Sequence, residues 1–555
     1  MTAARLSARF RPSPTEVVCL ILGELLVLWY AWIVDDAYVC FRYVDNLVLH
    51  HRGLVWNPGE YVEGFSSPLW VMLLASLRLL GLNYWLIIRL VGIASFAAFW
   101  WLACLINRRL SPSAQPSTSF NIPLIYLSFT YGVSCYFTSG LESPLLIVLA
   151  AVSCGVVLWP KSIPLQVGMG LSPLVRHELL VPYVILILYL YHRNRRAPLA
   201  GMLSCLLSLG PYLVFRVWYY ADLLPNTYYL KNETWFLQGL RYLYDTVLPY
   251  QTVPYLLVAA LLHHGAVRRY GGREHWRRER LLMLLIAAPV TFYVVKIGGD
   301  AVHFRHLAYP YCVVVLATCG LLESWLQSLP EDVRPKAMAL SLVFALATLS
   351  NYPRQLGSHP LFRAALGPQH RQLLLINDAA VHRLHPTGIT PPWWSAGEEL
   401  SVLAARKRYQ ERAGSPRAFH ESWCQAAFLR PANPAIHSLG LTEPFLARTR
   451  MLLDRPAHKW GLQRLAVDIA AVRERHGFRR GAFDDTLAQG DEVPSWVSAN
   501  IAQIRRIEQQ AFNHHDLLEN LRIALSRTPK IEPGIGEERA VPPGSGRPRA
   551  QHEPE

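Results

Sequence analysis

Charge is scarce in this chain, and so is any cysteine pattern. Of its 555 residues only 17% are charged, against 52% hydrophobic. A chain of that length built from several soluble domains would carry about a quarter charged residues. The nine cysteines include no CxxC pair, and most (Cys19, Cys104, Cys135, Cys154, Cys205, Cys312, Cys319) lie inside apolar runs. They read as small packing residues, which excludes a disulfide framework and a cysteine zinc site. No small-x-small cleavage site follows the first apolar run, so that run reads as an uncleaved span rather than a signal peptide. No internal repeat is visible.

What is present is a series of apolar runs from Val17 to about Leu349, the pattern of a polytopic α-helical membrane protein. The formal net charge is +15. Its basic residues cluster in short loops between the runs, which is the positive-inside signature and argues against nucleic-acid binding. Threading the runs so that the basic loops share one face gives about eleven spans, with the N-terminus cytoplasmic. Val17 to Val34 is the first span and ends at Asp35-Asp36 on the outer face. Ala37 to Leu49 reads as a short surface helix with Val39, Tyr43, Val44 and Leu47 on one side. Ser66 to Leu80 is short for a span and reads as interfacial, with Trp70 as anchor and Arg78 snorkelling. Further spans are expected over Trp85–Ile106, Asn121–Thr138, Leu141–Trp159, Ile163–Val175, Leu179–Tyr191, Leu199–Trp218, Pro254–Val267, Leu281–Ile297, Leu307–Ser328 and Ala337–Leu349. Residues 1–350 thus form the membrane region. A soluble extracytoplasmic domain is expected over 351–529, and a disordered tail over 530–555.

The same threading gathers five polar motifs on the outer face. Asp35-Asp36 heads a loop that also holds Arg42, Asp45, Glu60 and Glu63. Adjacent carboxylates suit a general base for an acceptor hydroxyl, or ligands for a hard cation at a phosphate. Taken alone, such a pair also fits an ordinary interfacial stop. Glu142 lies in a Thr138–Ser143 turn that would equally serve a helix hairpin. Arg176-His177-Glu178 fits a local ion pair or a substrate contact. The stretch from Tyr219 to Lys231, with Asp222 and Asn226, fits an aromatic belt or a stacking platform with Lys231 near a phosphate. Asp300 and Arg305 sit in Gly298–His306, where Arg305 suits a lipid phosphate. Glu24, inside the first span, is expected to face the protein interior. Together these motifs describe an outer-face pocket with acids for hydroxyl activation and bases for a phosphate, which is the chemistry of glycosyl transfer from a polyprenyl phosphate.

Asp35-Asp36-Ala37-Tyr38 through Arg42-Tyr43, followed by Gly53–Phe65, resembles the first outer loop of the terminal arabinofuranosyltransferases of mycobacterial cell walls and their broader bacterial relatives. Thr138–Ser143, Arg176–Glu178, Tyr219–Lys231, Gly298–Pro310 and the Leu439–Thr449 stretch with Lys459-Trp460 resemble later family motifs in the same order. The resemblance implies a GT-C glycosyltransferase of the bacterial cytoplasmic membrane, with interfacial helices in its first outer loop. It implies decaprenyl-phosphate arabinofuranose as donor and an extracytoplasmic, arabinan-type glycan as acceptor. It carries over Asp35 and Asp36 as catalytic acid/base, with Asp35 taken as acceptor base and Asp36 as metal or substrate ligand. Arg42, Glu63, Glu142, Arg176, Glu178, Asp222, Asn226, Lys231, Asp300 and Arg305 are expected to bind substrate. A divalent cation (Mg, Mn or Ca) is left open. The chain has His177 where relatives often carry Pro, and Ala221 where many have Gly. The alternatives are a polyprenyl-phosphate-mannose-dependent mannosyltransferase and a transporter or envelope-assembly protein. The last predicts acids at mid-membrane and an internal repeat.

Overall fold

The computed structural model describes residues 12–34, 36–111, 121–231, 234–247, 250–269, 274–300 and 304–326, then fragments between 329 and 339. Beyond these it describes 419–421, 424, 428, 435–437, 440–449, 502 and 516–526. Asp35, the run Leu340–Leu349 and most of 351–555 therefore lie outside the described residues.

The first helix, α1 (Pro14–Trp29), starts on a reciprocal cap between Ser13 and Glu16 with Pro14 in its first turn. It stops five residues short of the expected span end. Trp32 donates its indole N–H to the Cys135 carbonyl (2.9 Å), and the Val34 amide bonds the Ser139 carbonyl (3.0 Å). Those tertiary bonds replace further helical turns, so residues 31–34 run irregularly.

Two short helices follow, and both depart from the expectation of an interfacial pair. In α2 (Ala37–Val48) every residue from Ala37 to Asn46 is buried. Its charges are enclosed because they are paired: Asp45 meets Arg78 (2.9 Å) and the Tyr84 hydroxyl (2.7 Å). In α3 (Pro68–Leu79), Trp70 is only 1% exposed and donates to the Gly140 carbonyl (3.0 Å). Trp70 is thus a packing residue rather than an interface anchor, and Arg78 is an ion-pair partner rather than a snorkelling one.

The central element is a buried helix. Counting α4 (Tyr84–Leu110) and α5 (Ile122–Phe129), it is α6 (Ser143–Leu158), which buries 14 of its 16 residues. An all-apolar helix without a polar face belongs inside a bundle. It packs on α4, on α7 (Ile163–Gly170) and on a later helix, Ala308–Leu316. The expected Asn121–Thr138 span is instead α5, one helical turn (Tyr131–Ser134) and a 3₁₀ turn (Cys135–Thr138). The helix breaks at extended Thr130, where the Thr130 and Ser134 hydroxyls take the carbonyls of Tyr126 and Ser128.

The remaining helices are α8 (Leu180–Asn194), α9 (Leu199–Tyr220), α10 (Asn226–Lys231), α11 (Phe236–Val247), α12 (Thr252–Arg269), α13 (Glu274–Lys296), α14 (Ala308–Leu316) and α15 (Leu321–Leu326). Two, α4 and α9, are long and apolar enough to cross a membrane. At 1.5 Å per residue, the 27 residues of α4 reach about 40 Å, more than a hydrocarbon core. The others are shorter or more polar, so about eleven full spans are not established among the described residues. Large apolar side chains nevertheless stand outward on α1, α8, α9, α12 and α13, with Leu207 71% and Leu261 72% exposed. Apolar patches of that extent fit lipid better than water.

Three further pieces rest on this framework. A two-stranded parallel sheet pairs β1 (Phe419–Glu421) with β2 (Ala435–His437). The short α16 (Pro444–Arg448) packs on α10, and α17 (Leu517–Ser526) packs on α9.

Candidate functional site

Four separate stretches of sequence meet at one cavity of about 680 Å³, its open mouth included. Asp36 enters from the start of α2, and Glu142 from the start of α6. Arg176 lies in extended backbone between two short turns, and Arg305 with His306 in the 3₁₀ turn before α14. Lys231, at the end of α10, forms part of the wall. Two glycines make this approach feasible. Gly140 has φ +80°, and a Cβ there would lie 2.8 Å from the Ala37 Cβ. Gly299 has φ +79°, and a Cβ there would strike the Tyr242 ring.

The charged groups form one continuous network. Arg305 Nη1 donates to Asp36 Oδ2 (2.7 Å) and to Asp300 Oδ2 (3.4 Å), while Nη2 lies 3.8 Å from Glu142. Arg176 donates from Nε to Glu178 (2.8 Å) and from Nη1 to Glu142 (3.0 Å) and Ser66 (3.3 Å). Its Nη2 lies 3.0 Å from His306 Nδ1. Arginine can only donate, so Nδ1 accepts and the imidazole proton sits on Nε2, which faces Asp300 Oδ2 at 3.0 Å. Burial pushes the His306 pKa down, with Asp300 offsetting part of that, so the ring stays neutral as this tautomer requires. Burial alone would raise Glu178, but Arg176 outweighs it and holds the carboxyl at about 2. Burial alone would raise Asp300 too, but the Lys231 and Arg305 charges outweigh it and hold the carboxyl well below the usual carboxylate range.

Not every donor here is satisfied by protein. Arg305 Nε is buried with no hydrogen-bond partner among the described residues. Lys231 Nζ stands 4.0 Å from Asp300 Oδ1, a charge contact rather than a short hydrogen bond. These two cations have capacity for an anion, whereas each nitrogen of Arg176 already faces a protein acceptor. Thr227 Oγ1 and Ser67 Oγ, on residues lining the same cavity, are also buried without a partner among the described residues.

The other expected site residues do different work. Arg42 donates to the Trp56 carbonyl (2.9 Å) and to Asn57 (3.3 Å), fastening α2 to the loop that follows it. Glu63 is enclosed by Arg216 and by the Tyr212 hydroxyl (2.6 Å), tying that loop to α9. Asp222 pairs with Arg448 and accepts from Tyr229, while Asn226 donates to the carbonyls of Gly440 and Leu441. These four hold the walls and do not line the cavity. The expected aromatic platform is mostly committed as well: Tyr219 and Tyr220 both bond Leu54, leaving Tyr228 on the wall. Sequence reasoning did not single out His306, Tyr293 or Arg216. His306 stood beside Arg305 in a quoted motif, but Arg216 and Tyr293 lie inside apolar runs and carry no local signal.

Among the described residues no group of three or more His, Cys, Asp or Glu side chains is arranged to hold a metal ion. The network is instead interleaved with cations that neutralise its carboxylates.

A terminal beta-(1->2)-arabinofuranosyltransferase of Corynebacterium glutamicum is 29% identical over 356 residues, 54% of this chain and 50% of that protein. The protein of the same name from Mycobacterium tuberculosis is 28% identical over 335 residues, 52% of each chain. The chain is thus similar to two proteins of that name over about half its length. It spans about half the length of the curated relatives it matches. No family model matches it. Among solved structures, ArnT from Cupriavidus metallidurans bound to undecaprenyl phosphate aligns over 94% of this chain and 86% of that one, with a TM-score of 0.40 and 14% identity.

Proposed function

We propose that this protein is a membrane glycosyltransferase. In this reading it moves an arabinofuranosyl residue from a polyprenyl-phosphate donor to an extracytoplasmic cell-envelope glycan. The observation that carries the proposal is the single cavity where Asp36, the least enclosed carboxylate of the network at 30% exposure, adjoins two cations with unused capacity. The similarity to two proteins named as arabinofuranosyltransferases supports the sugar.

The chemistry needs three things. Asp36 takes the proton of the acceptor hydroxyl as its oxygen attacks the anomeric carbon. The bond from that carbon to the phosphate oxygen breaks, and its electron pair leaves with the polyprenyl phosphate. Arg305 and Lys231 stabilise the departing phosphate charge in a site sheltered from water. Arg176, fully engaged with protein, holds Glu142, Glu178 and His306 in register instead of touching the donor. This gives Asp36 the base role that the sequence reading assigned to Asp35, because Asp36 lines the cavity while Asp35 lies outside the described residues. In the orientation proposed here, the cavity opens on the extracytoplasmic face of the cytoplasmic membrane.

The test is transfer by purified protein offered a panel of polyprenyl-phosphate sugars. Arabinofuranosyl transfer is expected. Transfer of mannose alone would favour the mannosyltransferase reading, and no transfer of any sugar would sink the proposal.

A further inference from the structure

Asp36 and Arg305 form the most open ion pair of the network. Arg305 has three carboxylates around it. Asp300 and Glu142 are 2% and 4% exposed, whereas Asp36 is 30% exposed. Asp300 also faces His306, and Glu142 also pairs with Arg176. Asp36 is therefore the partner that a ligand entering from the mouth meets first. The charge balance points the same way. Asp36, Glu142, Glu178 and Asp300 give four negative charges, and Arg176, Lys231 and Arg305 give three positive ones. A phosphate brought into this cluster adds to an existing surplus of negative charge. It binds best by taking the place of a carboxylate rather than by joining all four.

We infer that Asp36 occupies the phosphate position on Arg305 in the free protein and surrenders it when the donor phosphate arrives. This rests on the reading of the cavity as a polyprenyl-phosphate site. The exchange has a chemical consequence. A carboxylate paired with an arginine is a weak base; once Arg305 turns to the phosphate, Asp36 regains basicity beside the acceptor hydroxyl. Donor binding thus arms the base, and an empty enzyme keeps it neutralised. Nη1, released from Asp36, is the guanidinium nitrogen that the phosphate takes over.

The experiment is equilibrium binding of a polyprenyl monophosphate to the full-length protein in detergent, with transfer measured in parallel. Asp36→Asn is expected to bind the lipid phosphate about tenfold more tightly than the unmodified protein, while transferring no sugar. Arg305→Gln is expected to bind about tenfold more weakly, and the double variant to match Arg305→Gln. Asp36→Ser gives the same reading if the asparagine variant fails to fold. Equal or weaker binding by the folded Asp36 variants, with binding still lost in Arg305→Gln, would overturn the exchange alone. If the unmodified protein binds no polyprenyl phosphate, the cavity reading itself fails.

Discussion

Each nitrogen of Arg176 faces a protein acceptor, and that makes Arg176 a structural residue of the site rather than a substrate contact. Removing it would leave Glu142 and Glu178 buried with reduced compensation, a loss of about 3–5 kcal/mol. Arg176→Gln should therefore lower the melting temperature in detergent as well as transfer, whereas Asp36→Asn should abolish transfer with the melting temperature nearly unchanged. An Arg176→Gln protein that melts normally would return Arg176 to the substrate. His177 makes a second residue-scale prediction. Burial, aided by the Arg176 and Arg216 charges and partly offset by Glu178, lowers its pKa to about 4. The unfolded chain, at about 6.5, then binds more protons than the folded one across that interval. Stability should fall as pH drops from about 6.5 toward 4, and His177→Gln should flatten this slope in thermal melts. Ala221 is simpler. It ends α9 in the left-handed region at φ 47°, where a Cβ costs about 1 kcal/mol. Ala221→Gly should therefore raise the melting temperature.

At the scale of elements, the loop between α2 and α3 is held by its neighbours rather than by its own structure. Glu63 joins it to α9 through Arg216 and Tyr212, and the Leu54 backbone bonds Tyr219 and Tyr220 on the same helix. Glu63→Gln should leave Arg216 without its charge partner and lower stability by about 3–5 kcal/mol, read by chemical denaturation. Transfer should fall with it, because Gly64 and Phe65 line the cavity. An unaltered denaturation midpoint would rule out this anchoring role. The existence of α2 and α3 was legible from their periodicity, but their burial was not. Periodicity reports one apolar face, and it cannot show that Arg42 and Asp45 find partners that let the polar face be enclosed as well. Helix ends failed for a related reason. After Tyr30 the chain is held by bonds from Trp32 and Val34 to Cys135 and Ser139, more than a hundred residues on, which no local signal announces.

Across the whole molecule, charge placement in the loops was the most informative part of the sequence. It brought Asp36, Glu142, Arg176, Lys231 and Arg305 to one face before any distance was known, and these residues line one cavity. What it could not separate was a residue that faces the cavity from one that holds the wall, since Arg42, Glu63, Asp222 and Asn226 carry the same charges and polarity in equally polar loops. The expected soluble domain over 351–529 lies almost entirely outside the described residues. Its described pieces fasten to the membrane region: Asn57 bonds both the amide and the carbonyl of Ala435 (2.9 Å each), Arg448 pairs with Asp222, and Asn520 donates to Trp218 (2.8 Å).

The Asn57–Ala435 contact joins residues 378 positions apart. During synthesis, at about 5–20 residues per second, the loop beside Asp36 waits on the order of twenty seconds or longer for its partner strand to be made. The cavity, which Leu441 helps to line, is thus completed late, after the helices around it have been made. Nascent chains arrested before residue 435 should leave the Gly53–Phe65 loop open to added protease, and chains arrested well beyond it should protect that loop. Premature termination would then yield a membrane-inserted protein with its helices in place and its reactive pocket still unclosed.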